Sequence, residues 1–199
     1  YLLEKGSNPN RKVDNGMPVF FHSIIDGNLI QLMAFIEAGA KLKMVNDNKS
    51  TALMSASRHG HFDIVKLLIN EKVPINAKNI YGETALICAA IGGFTEIVKE
   101  LLNSGAKVNK KTKKGMNAAF WAVYFGFVDT AKILIDKGAK INLHEKEHGA
   151  TPLIIAVSQG NLAMVQLLID AGADKNAKDY NGKTPKTIAR DEKFNDVLA

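Results

Sequence analysis

The stretch Gly149–Ala173, GATPLIIAVSQGNLAMVQLLIDAGA, decides the architecture. Thr151 is placed to cap a helix, and Pro152 sits at its first position, where a missing N–H costs nothing. Gly160 ends that helix and Asn161 opens a second one. Gly172 closes the second helix in the left-handed conformation that glycine tolerates best. Val165, Leu168 and Ile169 lie at i, i+3 and i+4, one face of a helix. The unit reads helix, short turn, helix, and it is too small to bury that face alone.

The unit recurs along the chain. Gly82, Gly115, Gly149 and Gly182 are separated by 33, 34 and 33 residues, and the same step backward reaches Lys49 and Gly16. A second column runs Gly6, Gly39, Lys72, Gly105, Gly138, Gly172, with four steps of 33 and a last step of 34. The two columns share one extra residue, which falls between Ala139 and His148. Loops accept such insertions and packed helices do not. Three apolar columns keep the register: Leu32, Val65, Val98, Ala131, Val165; Phe35, Leu68, Leu101, Leu134, Leu168; and Ile36, Ile69, Leu102, Ile135, Ile169. Ala56-Ser57 and Ala89-Ala90 supply small residues for close helix approach. An asparagine column, Asn10, Asn76, Asn109, Asn142 and Asn176, recurs in each connection except the one that holds Lys43.

These phrases resemble the ankyrin repeat family. Gly149-Ala-Thr-Pro-Leu153, Gly160, Val165-Gln-Leu-Leu-Ile169 and Gly172-Ala173 match its pattern, as do Gly82-Glu-Thr-Ala-Leu86 and Gly105-Ala-Lys-Val-Asn109. The resemblance covers essentially the whole chain. It implies an all-α solenoid of helix-turn-helix units joined by β-hairpin-like fingers. The boundaries expected are the end of a truncated repeat at 1–12, full repeats at 13–45, 46–78, 79–111, 112–145 and 146–178, and a capping repeat at 179–199. Tyr1–Gly6 reads as the last turn of an earlier helix, so the chain is expected to be part of a longer protein. Arg190, Asp191, Glu192 and Lys193 suit a polar cap, with a short second helix near Phe194–Leu198. Departures from the family pattern occur at Pro18-Val19 and Asn117-Ala118, which replace Thr-Pro. Lys49 and Lys72 replace two glycines, and a left-handed Lys72 would cost on the order of 1 kcal/mol. The resemblance also assigns a hairpin-supporting role to the asparagine column and a structural role to His61.

Composition narrows the function classes. Hydrophobic residues make up 46%, enough for a core. The single cysteine, Cys88, excludes an internal disulfide and points to a reducing compartment. A net charge of +6 favours acidic partners mildly and is too small to imply nucleic acid. The longest apolar run, Ala118–Val128, is shorter than the roughly 20 residues a membrane span needs. No phosphate-cradling loop and no nucleophile elbow is present. Cys88 has no base near it in sequence and reads as a buried thiol. His144-Glu145-Lys146-Glu147-His148 is the single metal-like cluster, but an extended segment would not converge its ligands, so no metal and no cofactor is expected.

The resemblance makes the first helices the palm of a groove and the connections its fingers. The palm falls at Ile25 and Asp26, Arg58 and His59, Ile91 and Gly92, Tyr124 and Phe125, Ser158 and Gln159. Finger tips carry Asp47 and Asn48, Ile80 and Tyr81, Lys113 and Lys114, Glu147 and His148, and Tyr180. Ile80, Tyr81, Ile91, Met116, Tyr124 and Phe125 are expected to converge as an apolar centre, with Trp121 partly buried beside it. Lys110, Lys111, Lys113 and Lys114 form a basic finger that would steer an acidic partner. The function expected is a non-catalytic scaffold or adaptor. It would be a cytoplasmic monomer binding a protein or peptide with apolar and acidic residues, without nucleic acid or membrane span. The rivals are a substrate-targeting arm of a larger multidomain enzyme and a secreted bacterial effector acting in a host cytosol. Nuclear localisation is a further alternative.

Overall fold

The computed structural model describes residues 8–13 and 16–192. The helical turn expected at Tyr1–Gly6, and the cap residues Lys193 and Phe194–Leu198, lie outside them. Among the described residues there are eleven helices and no strands. Two isolated antiparallel bridges join Lys12 to Pro18 and Val45 to Thr51. No helix among the described residues is long and apolar enough to cross a membrane.

The chain divides into two compact units, Tyr1–Lys107 and Val108–Ala199. The first holds α1 (Phe21–Ile25), α2 (Leu29–Glu37), α3 (Ala52–His59), α4 (Phe62–Asn70), α5 (Ala85–Ile91) and α6 (Thr95–Asn103). Helices pair in sequence order, α1 with α2, α3 with α4 and α5 with α6, and the first helices stack α1 on α3 on α5. The second unit holds α7 (Ala118–Tyr124), α8 (Val128–Asp136), α9 (Pro152–Ser158), α10 (Leu162–Asp170) and α11 (Pro185–Asp191). There α7 pairs with α8 and α9 with α10, while α7, α9 and α11 stack.

Local chemistry starts every first helix except α1, whose N-cap Phe20 makes no side-chain cap bond. The side chains of Thr51, Thr84, Asn117, Thr151 and Thr184 accept a hydrogen bond from the backbone N–H three residues on. Pro152 opens α9 as expected, and Pro185 does the same for α11. Packing fixes the second helices. Two of the three apolar columns are buried throughout: Leu32, Val65, Val98, Ala131, Val165, and Phe35, Leu68, Leu101, Leu134, Leu168. The third, from Ile36 to Ile169, is only half-buried. The buried face is rotated one position earlier, so Ile64, Ile97, Thr130 and Met164 enter the core instead. Each fully buried Leu or Ile contributes roughly 1.5–3 kcal/mol.

The asparagine column makes the joints. Asn10 Nδ2 donates to Gly39 O at 3.1 Å, and its Oδ1 accepts from Lys41 N at 2.6 Å. Asn76 binds Gly105 O and Lys107 N in the same way at 3.0 and 2.8 Å. In the second unit Asn109 bridges Gly138 O and Lys140 N, and Asn142 bridges Gly172 O and Asp174 N. Each amide thus satisfies one acceptor and one donor at the far end of the next helix pair.

Lys49 and Lys72 take the left-handed conformation of the glycines they replace, with φ of 57° and 54°. Lys72→Gly is expected to raise stability by about 1 kcal/mol. Urea unfolding checks this: the midpoint should rise at constant slope, whereas Lys72→Ala, which keeps the strain, should leave the midpoint nearly unchanged.

Candidate interaction surface

Of the expected apolar centre, Ile80, Tyr81 and Ile91 belong to the first unit and Met116, Tyr124 and Phe125 to the second. Each unit groups its own residues. In the first, a cavity of about 530 Å³ is lined by Phe21 and Ile25 from α1, Met54, Arg58 and His59 from α3, and Tyr81. Tyr81 is 54% exposed. Ile80 and Ile91 are half-buried and do not line this cavity. Ile80 is held by its backbone, whose N–H donates to Asn48 O at 2.9 Å.

Arg58 enters the cavity tethered. Its Nη2 lies 2.7 Å from Glu83 Oε2 and 3.3 Å from Cys88 Sγ. Asn79 Nδ2 donates to the same Glu83 oxygen at 2.7 Å, so Glu83 is fixed from two sides. Burial pushes the Cys88 thiol up to about 12, and the attraction of Arg58 for a thiolate does not reverse it. Cys88 is therefore a neutral buried thiol, unsuited to nucleophilic chemistry. The contact with Arg58 escapes sequence reading because the two lie 30 residues apart.

In the second unit the aromatics form one stack. Phe125 lies on Trp121, with ring centroids 6.0 Å apart and planes within 17°. Tyr124 meets both rings edge-on, at 5.7 and 5.2 Å. Tyr124 and Phe125 stay 45% and 46% exposed. Met116 differs from expectation. It is buried at 5%, packed with Phe120 and Leu143 under Trp121, and cannot present an exposed face. Met116, Trp121 and Tyr124 line a cavity of about 250 Å³ with Ile155. Trp121 Nε1 is buried and has no hydrogen-bond partner.

The basic finger is partly neutralised. Lys114 Nζ sits 3.1 Å from Glu147 Oε2. Lys111 and Lys113 are exposed, and Lys110 is half-buried.

A family model described as ankyrin repeats, in three copies, matches residues 1–79, 20–112, 63–145, 105–179 and 142–197. The chain belongs to the ankyrin repeat family. Ankyrin repeats are generally protein–protein interaction modules. The chain is 33% identical over 78 residues to alpha-latrocrustotoxin-Lt1a of Latrodectus tredecimguttatus, covering 39% of this chain and 6% of that protein. It is 52% identical over 42 residues to human fibronectin type 3 and ankyrin repeat domains protein 1, covering 21% and 12%. It is 49% identical over 41 residues to potassium channel AKT3 of Oryza sativa subsp. japonica, covering 21% and 4%. The chain thus spans a small fraction of each relative's length.

One ankyrin finger departs from its expected form. The segment around Glu145 is a turn rather than an extended strand. Asn46, Asn79 and Asp179 each begin a finger turn, and their side-chain oxygens accept the backbone N–H four residues on. Glu145 falls in the same column, and its turn is one residue longer. Its longer side chain reaches the N–H groups of Glu147, His148 and Ala150. Burial pushes the Glu145 pKa up, but the three N–H donors outweigh this and hold it below the usual carboxylate range. The turn also brings ligand atoms of Glu145, Glu147 and His148 within 4.8 Å of one another. One imidazole with two carboxylates is a donor set for a borderline divalent metal such as zinc. Glu145 is nevertheless engaged by backbone and Glu147 by Lys114, so both carboxylates already have partners.

A lowered folded pKa contributes stability above the unfolded value near 4.3, lost as pH falls through the folded pKa. Glu145→Gln is expected to destabilise the chain by about 1–2 kcal/mol at pH 7, through loss of charge-assisted bonds. Denaturant unfolding across pH should show the gap close as the medium falls below pH ~4. A gap independent of pH would contradict an ionised Glu145.

Proposed function

We propose that this chain is a non-catalytic scaffold that holds a protein or peptide partner through Tyr81 and the Trp121–Tyr124–Phe125 stack. One observation carries the reading. Tyr124 and Phe125 are nearly half exposed although α7 and α8 pack without that exposed surface. Exposed aromatic rings stacked on the half-buried Trp121 suit binding hot spots, because little side-chain freedom is lost on association. Arg58 and His59 would add polar contacts around Tyr81. Lys113 would supply the cationic rim for acidic residues of the partner, with Lys114 contributing less because of Glu147. Ile80 and Ile91 would serve as local support, and Met116 as the floor beneath Trp121. The burial that keeps the Cys88 thiol neutral supports a role without turnover.

A second reading is that the repeats are the targeting arm of a larger protein. The small share of each relative matched by this chain favours it. Both readings use the same residues.

The test is affinity for the principal protein that co-purifies with the chain from its native cell. Tyr81→Ala, Tyr124→Ala and Phe125→Ala together are expected to weaken binding at least about tenfold, while thermal stability stays nearly constant. Unchanged affinity in a folded triple variant would reject the surface.

A further inference from the structure

The asparagine clamp fails at one joint of the first unit, and it fails in every part at once. Each intact clamp joins an asparagine to a carbonyl one repeat on and to the N–H two residues past that carbonyl, 29 and 31 residues on for Asn76, Gly105 and Lys107. Between the pairs α1–α2 and α3–α4 the corresponding positions are Lys43, Lys72 and Pro74. Lysine has no acceptor, and proline has no N–H to give. Lys72 holds its carbonyl at a strained φ of 54° where the other joints have glycine.

The packing agrees. Helix α4 packs on α6 and α8 on α10, whereas α2 and α4 have no comparable contact. A cleft of about 400 Å³ lies there instead, lined by Ile36, Ala40, Leu42, Lys43, Glu71 and Val73. The opposite side of the joint is fastened. Helix α1 packs on α3, and the His61 ring nitrogen Nε2 bonds Ile25 O at 2.9 Å.

We propose that this joint is a hinge, fastened at α1–α3 and His61 and open at α2–α4, about which the first helix pair moves. The cavity that holds Arg58 and Tyr81 has Phe21 and Ile25 on one side of the hinge and Met54 on the other. Hinge opening therefore changes its width. That consequence rests on the proposed binding role, and the hinge itself does not.

The test needs no partner. Amide hydrogen exchange is measured on the whole chain, on Lys72→Gly, and on the repaired chain with Lys43→Asn, Lys72→Gly and Pro74→Lys. The repaired chain restores both clamp bonds, and Lys72→Gly alone relieves the strain without them. Protection of α2 is expected to rise about tenfold to a hundredfold in the repaired chain beyond Lys72→Gly, with α5 and α6 unchanged. Equal protection of α2 in the two variants would overturn the hinge. Asn76→Ala provides the converse, since it removes the clamp at the next joint. Protection of α4 should fall by a similar factor, and no fall would overturn the claim that the clamp controls opening.

Discussion

A single asparagine amide, bridging a carbonyl and an N–H of the next helix pair, is the constraint on which this chain depends. A pair such as α3–α4 buries one face on itself and must bury the rest on its neighbours. Hydrophobic packing supplies most of the energy but sets no direction. The amide adds direction, because both of its groups must meet backbone partners at fixed distances. Asn10 and Asn76 do this in the first unit, and Asn109 and Asn142 in the second. The spacing of about one repeat follows from that geometry.

With the joints carrying the register, the aromatic end of α7 keeps exposed surface. Tyr124 and Phe125 at the end of α7 rest on Trp121 and still face solvent. Glu145 shows the opposite case, a finger residue recruited into structure. Its carboxylate organises a lengthened turn and, through Glu147 and Lys114, draws charge from the neighbouring basic finger.

The repeat, the caps and the two inner columns were legible because they follow from spacing alone. Sequence reading placed the half-buried Ile36-to-Ile169 column in the core because i+4 and i−1 lie on adjacent sides of the same face, and only the neighbouring helices choose between them. Met116 is expected from its sequence position in the exposed apolar centre, yet Phe120 and Leu143 enclose it. Glu145 could have been found from the column of Asn46, Asn79 and Asp179, where a longer acid accompanies a longer turn. The Arg58–Glu83–Cys88 contact joins positions in different repeats and has no periodic signal.

The most direct measurement is the stability of Asn109→Ala by denaturant unfolding. The account predicts a loss of about 1–3 kcal/mol, because the amide's bonds to Gly138 O and Lys140 N, at 2.9 and 2.8 Å, vanish together. A loss below about 0.3 kcal/mol would mean that packing alone sets the joint, and would contradict the clamp as the organising constraint.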